Sequence, residues 1–398
     1  MREEALTAGR QLWVQVTAVE RQQPDPERIV AFAIDSPRAG EEHRGAGLEI
    51  NGWVIGRDAG VQSVRIVKNG EPGPVATLDV RRPDVAADYP ELSQAELLGF
   101  SIWAPLNVDD GTPLIAIEAV LEHGAPVSLA TIETSLLLAT FGGDPDHSPV
   151  VGPDFVVIGT QRGGTTSLHA YLAAHPQVTL PRTKELHYFT DRFARGREWY
   201  LGQFPERVPV FGRTGEATPY ALFHPLAPDR LRATAPDAKL IVLLRNPVDR
   251  AYSHYLMEHA RGDEPLDFAA ALAAEPERLA GEEAHLLADP DYVSWSHKHF
   301  SYLVRGDYAP QLARWFAPFP REQFLILRSE DLYADPAATY GRVLDFLDLE
   351  PAGSPSFTAH NRTEGPPLDP RLRDRLAAHF ATKNAALADL LGWDPGWT

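Results

Sequence analysis

The residues best placed by type and spacing to do chemistry lie in two short runs. The first is Gly159-Thr160-Gln161-Arg162-Gly163-Gly164-Thr165-Thr166, entered from the apolar residues 155–158 and left through a helical pattern. Its spacing is G-x-x-x-x-G-T-T. Glycines at such a strand–helix turn let several backbone N–H groups face one anion, and the helix start adds its positive end. Arg162, Gly163, Gly164, Thr165, Thr166 and Ser167 are therefore read as an anion-binding loop. A nucleotide loop of the G-x-x-x-x-G-K-[ST] type has lysine where this chain has Thr165. The cation here is Arg162, inside the loop, which suits one phosphate-like group rather than a triphosphate with magnesium.

The second run is Arg245-Asn246-Pro247-Val248-Asp249-Arg250, which follows the apolar residues 239–244. Asn246 reads as a helix N-cap, Pro247 as the first helical residue and Asp249 as a capping acid. Arg245 then stands at the carboxyl end of a buried strand, where open α/β sheets bind ligands. With Ser253, two turns into the helix, it can grip a second phosphate. A P-loop kinase would place a magnesium-binding aspartate at such a strand end; an arginine there repels a divalent metal.

Together the two runs resemble the sulfotransferases that use 3′-phosphoadenosine 5′-phosphosulfate (PAPS), in particular their bacterial, heparan-sulfate-sulfotransferase-like branch. The segments Lys184-Glu185-Leu186-His187-Tyr188-Phe189, Gly215-Glu216-Ala217-Thr218-Pro219-Tyr220 and residues 321–332 also look like family segments. The likeness runs over about residues 154–393. It implies that the first motif holds the 5′-phosphosulfate and the second the 3′-phosphate. It implies a catalytic base in the segment 184–189, with Glu185 as first candidate and His187 as second; as alternating residues of an extended segment they would face one side. Arg362, where relatives close a loop over the 3′-phosphate, is a third cation. His254 ranks low as a base, and residues 291–300 are read as an acceptor-cleft wall or a packed surface helix. Two positions depart from the pattern: Arg162 where most relatives carry a lysine that contacts the donor's bridging oxygen, and Ala217 where heparan-type members carry a second lysine. The resemblance implies PAPS as donor, the bisphosphate PAP as product, no metal, and a small-molecule or glycan acceptor. Two other readings compete: a P-loop kinase or nucleotide-binding protein, revived by magnesium and ATP dependence, and a catalytically inactive binding protein on the same scaffold, supported by failure to bind PAP.

The elements that must position these residues follow two grammars. Residues 1–145 carry short apolar or alternating runs at 12–19, 29–34, 48–55, 61–67, 75–80, 100–104, 114–121 and 127–138, parted by turn signals such as Asn69-Gly70. This predicts an all-β, antiparallel sandwich, loosely resembling Ig-like modules and accessory to the chemistry. Residues 141–149 read as a linker. From 146 to 398 strands at 155–158, 239–244 and 323–327 alternate with helices at 167–174, 248–261, 336–347 and 371–391, which predicts a parallel, P-loop-like α/β sheet.

The 398 residues carry 55 acidic and 37 basic side chains, a net charge of −18, against binding nucleic acid or anionic membrane. There is no cysteine, which excludes disulfides, thiolate nucleophiles and Cys-bound metals. Met1 to Glu4 leads into no apolar leader core, and no apolar run reaches membrane-spanning length; the expectation is a cytoplasmic protein whose oligomeric state the sequence leaves open.

Overall fold

The computed structural model describes residues 10–44, 47–57, 60–89, 97–106, 110–140, 147–149, 152–205, 207–209, 212–352, 355–357 and 365–397. The chain divides into two compact units, Met1–Gly143 with Glu198–Gly202, and Asp144–Arg197 with Gln203–Thr398. Of the linker reading, residues 141–146 lie outside the described residues, whereas His147–Pro149 forms a strand.

The first unit holds strands β1 (Arg10–Arg21), β2 (Ile29–Ser36), β3 (Glu42–Arg44), β4 (Gly47–Gly56), β5 (Val61–Lys68), β6 (Glu71–Ala76), β7 (Val80–Arg81), β8 (Leu97–Pro105), β9 (Leu114–Leu121) and β10 (Val127–Thr140), with one short helix, α1 (Pro83–Asp88). They make two antiparallel sheets, ordered β3-β1-β10-β9-β5-β6 and β2-β4-β8-β7. Strand β9 shows why: Ile115, Ile117, Ala119 and Leu121 turn inward while Glu118 and its alternate neighbours turn out. The inward residues of both sheets form one core, with Val14, Leu48, Ile50, Ile102 and Ile117 all buried. Asn69 and Gly70, both at positive φ (51° and 89°), make the two-residue turn between β5 and β6. The single run anticipated at 75–80 is instead split between β6 and β7, because residues 77–79 leave one sheet before the chain joins the other.

The second unit holds β11 (His147–Pro149), β12 (Phe155–Gly159), β13 (Val178–Thr179), β14 (Arg207–Pro209), β15 (Arg213–Ala217), β16 (Lys239–Leu244) and β17 (Phe324–Arg328). Its helices are α2 (Thr165–Ala173), α3 (Gly196–Gly202), α4 (Ala227–Thr234), α5 (Pro247–Arg261), α6 (Phe268–Arg278), α7 (Glu282–Ala288), α8 (Trp295–His299), α9 (Tyr308–Phe316), α10 (Ser329–Ala334), α11 (Pro336–Phe346) and α12 (Pro370–Leu391); α3 is assigned mostly to the first unit by packing. Five strands pair in parallel in the order β13-β15-β12-β16-β17. Strand β12 is buried at every residue and β16 at five of six, as parallel strands covered on both faces must be. From β12 the chain moves to β13 and β15 on one side, then crosses to β16 and β17 on the other. That reversal opens a crevice at the carboxyl ends of β12 and β16, the place where such sheets bind ligands. No helix among the described residues is long and apolar enough to cross a membrane.

Candidate active site

The loop leaving β12 is shaped by its glycines and by its neighbours. A side chain at Gly163 would put a Cβ 2.6 Å from the Leu243 carbonyl oxygen and 2.9 Å from that of Thr160, so the loop backbone can lie this close to β16 only without one. Gly164 takes φ +92° and caps α2. The Ser329 hydroxyl donates to the Gly163 carbonyl (2.6 Å) from the end of β17. Thr165 and Thr166, in the first turn of α2, line the crevice with their hydroxyl-bearing side chains.

At the end of β16 the predicted cap is present: Asn246 Oδ1 accepts from Val248 N (3.0 Å). The acid that completes it is not Asp249, which pairs with Arg373 of α12 (2.7 Å). Glu330 of α10 accepts from Asn246 N instead (2.8 Å). Tyr308 donates its hydroxyl to the Arg245 carbonyl (2.8 Å). Arg245 Nη1 donates to the Arg162 carbonyl (2.9 Å), and Arg162 Nε donates to Ser253 Oγ (3.0 Å). The structure thus joins the two anion motifs at Arg162. Burial first, and then the Arg245 charge, lower the Arg162 pKa from its ordinary value. Two like charges brought this close raise each other's energy until an anion lies between them.

Arg162, Gly164, Thr165, Thr166, Arg245 and Ser253 line one cavity of about 890 Å³, together with Glu185, His187, Tyr220, Lys298 and His299. Gly163 and Ser167 are not among the lining residues: Gly163 supports the loop from behind, and Ser167 is buried and hydrogen-bonded to the Tyr171 hydroxyl. Arg362 lies outside the described residues.

Glu185 and His187 do not sit on an extended segment. Both take left-handed conformations, φ 63° and 55°. Among the described residues five non-glycines have positive φ, and three of them, Arg162, Glu185 and His187, line this cavity. Such conformations cost on the order of 1–3 kcal/mol each and gather where function requires them. The twisted backbone still brings the two side chains together, with His187 Nε2 3.8 Å from Glu185 Oε2 and His187 Nδ1 3.7 Å from Asp191 Oδ2. The His187 ring hydrogen-bonds Thr190 Oγ1 (3.2 Å). Lys184 is ion-paired with Glu185, and Lys298 with Asp191 (2.5 Å). Burial raises the Glu185 carboxyl, but Lys184, His187 and Lys298 outweigh it and hold the group below the usual carboxylate value. Burial, reinforced by Lys298, lowers His187 to about 4. At neutral pH the wall therefore carries an ionised Glu185 beside a neutral imidazole.

His254 is fully buried, sits 3.3 Å from Glu258 and does not line the cavity. Glu258 also holds His299 (Nδ1 to Oε2, 3.1 Å), whose ring stacks on Trp295 at 3.9 Å. The segment 291–300 thus contributes Lys298 and His299 to the cavity wall. Arg305, whose role the sequence does not reveal, is buried and donates to the carbonyls of His297 (2.9 Å) and Lys298 (2.8 Å) and to Gln161 Oε1 of the loop.

A phosphate-shaped loop without the kinase lysine, a second arginine across it and a carboxylate on the facing wall define a protein that moves an anionic group. The sulfotransferase-domain family model matches residues 152–360, and the chain belongs to the sulfotransferase family. It is 35% identical over 271 residues to mouse heparan sulfate glucosamine 3-O-sulfotransferase 6, covering 62% of this chain and 73% of the mouse protein. It is 30% identical over 313 residues to the membrane-associated sulfotransferase kil1 of Dictyostelium discoideum, covering 62% and 66%. Among solved structures, a sulfotransferase from Alicyclobacillus acidocaldarius superposes with a TM-score of 0.51 at 29% identity, over 62% of this chain and 98% of that one.

Proposed function

We propose that the chain transfers the sulfuryl group of PAPS to a hydroxyl of a carbohydrate or another small-molecule acceptor. The observation that carries this is the junction of Arg162, Arg245 and Ser253 at a cavity that Glu185 also lines. The close-packed loop at Gly163 and the α2 N-terminus fit one phosphate group of the donor, and Arg245 with Ser253 fits the other. Glu185 accepts the acceptor's hydroxyl proton. The acceptor oxygen forms its bond to sulfur as the bond between sulfur and the bridging phosphate oxygen breaks, and PAP departs. The heparan sulfate relative supports a carbohydrate acceptor.

The test needs no acceptor. PAP is expected to raise the melting temperature without magnesium, by the equivalent of about 2.7 kcal/mol at 100 times its Kd, and ATP to do so far less. A shift with ATP that needs magnesium, and none with PAP, would turn the reading to a kinase.

All lining residues of the cavity belong to the second unit, which supports residues 146–398 as the transferring part and 1–145 as accessory. A chain beginning at Asp146 is expected to keep the PAP-dependent melting shift. Loss of folding in that truncation, read by circular dichroism, would make the first unit part of the transferase core.

A further inference from the structure

We propose that Lys298 is the cation that contacts the transferring sulfuryl group, supplied by α8 and held in place by Asp191. The inference rests on the donor reading above and adds a catalytic residue to it. Among the described residues four cationic ones line the cavity: Arg162, Arg245, Arg261 and Lys298. The three arginines lie on the α5 side. Arg162 reaches Ser253 and, through Nη1, Met257 Sδ (3.6 Å); Arg245 holds the Arg162 carbonyl; Arg261 ends α5 near Glu258 (4.0 Å). Strand β15 ends at Ala217, which brings no charge.

Lys298 alone comes from the wall that carries Glu185 and His187. Its Nζ donates to Asp191 Oδ2 (2.5 Å) and lies 5.8 Å from the centre of the Tyr220 ring. An ammonium has three donors, so the Asp191 pair leaves others for a second anion. Asp191 is itself 3.7 Å from His187 Nδ1, which ties the lysine to the segment of the base. Arg305 ties it to the phosphate loop: one buried guanidinium holds the Lys298 carbonyl and Gln161 together. The sulfuryl oxygens must lie between the phosphate loop and the base, because the acceptor attacks sulfur opposite the leaving phosphate. Lys298 is fixed to both sides of that gap. It donates hydrogen bonds to charge on the sulfuryl oxygens as the bond to the bridging oxygen lengthens, and it gives up no proton.

PAPS and PAP differ only in the sulfuryl group, so their affinities isolate the contact. In Lys298→Met, PAPS affinity measured by calorimetry is expected to fall at least about tenfold, the worth of one charge-assisted hydrogen bond, while PAP affinity stays within about twofold. Lys298→Arg is expected to recover part of the PAPS loss. Should the methionine variant fail to fold, Lys298→Gln takes its place with the same expectation. Equal loss for both ligands, or loss for neither, overturns the assignment while PAP binding by the unaltered protein keeps the donor reading standing. If the unaltered protein binds neither ligand, the donor reading fails and this inference falls with it.

Discussion

Replacing Glu185 by glutamine is expected to slow single-turnover sulfuryl transfer by about 10²–10⁴, the usual worth of a general base, with PAP affinity unchanged. The amide keeps the volume and the acceptor oxygen that Lys184 uses but cannot take a proton. Glu185 has the position for the task, since it lines the same cavity as the phosphate loop but comes from a separate segment. Its charge state also fits: with its pKa below the usual carboxylate value, it is ionised through the neutral range. The sign follows for pH. Transfer needs the ionised form, so rate is lost only as pH falls through that lowered pKa. The profile of kcat/KM should be flat on its acid side near neutrality; with His187 lowered to about 4 the same holds for that imidazole, so the variants and not the profile tell the two apart. His187→Ala should cost less, by letting the Glu185 carboxylate swing away. Near-normal transfer in Glu185→Gln together with an inactive His187→Ala would exchange the two roles.

What the sequence discloses and what it conceals divide along physical lines. Strands β12 and β16 are legible because burial on both faces leaves an unbroken apolar run, and the loop after β12 is legible because only glycine permits its backbone. Strand β15 is not, although it is buried at four of its five residues. Its sequence is Arg-Thr-Gly-Glu-Ala, and its polar groups are met by tertiary partners: Asp154 takes both the N–H and the hydroxyl of Thr214 (2.6 and 2.9 Å), and Thr218 donates to Glu216 (2.8 Å). The left-handed turns at Glu185 and His187 leave no mark either: glutamate carries no preference for positive φ, and the enrichment of histidine there is too small to mark a single position. The extended reading of that segment therefore names two residues that do line the cavity, on a backbone that is not extended. Asp249 reads as a capping acid by spacing, but that place is taken by Glu330, 84 positions from the cap residue Asn246. Lys298 has no local signature at all. Its side chain is tied to Asp191, 107 positions away, and its carbonyl to Arg305, seven residues on.

Arg245→Ala is expected to weaken PAP by roughly 10- to 150-fold, equivalent to about 1.5–3 kcal/mol for a lost charge-assisted contact. Adenosine 5′-phosphosulfate, which lacks the 3′-phosphate, separates two consequences of that change. If Arg245 only gripped the 3′-phosphate, this ligand would bind the variant as well as it binds the parent. The structure predicts a smaller but measurable loss, because Arg245 Nη1 also supports the Arg162 carbonyl and so the shape of the first anion site. Ser253→Ala is the milder version of the same change. It removes the acceptor for Arg162 Nε and the hydroxyl beside Arg245 but leaves the Arg245 hydrogen bond in place, so it should weaken PAP by a smaller factor than Arg245→Ala does, and adenosine 5′-phosphosulfate by less still. The excess loss for PAP over adenosine 5′-phosphosulfate in Arg245→Ala then measures the 3′-phosphate contact itself, and the shared part measures loop support. Identical losses for the two ligands in Arg245→Ala would confine the arginine to shaping the loop and would move the 3′-phosphate elsewhere on the cavity wall.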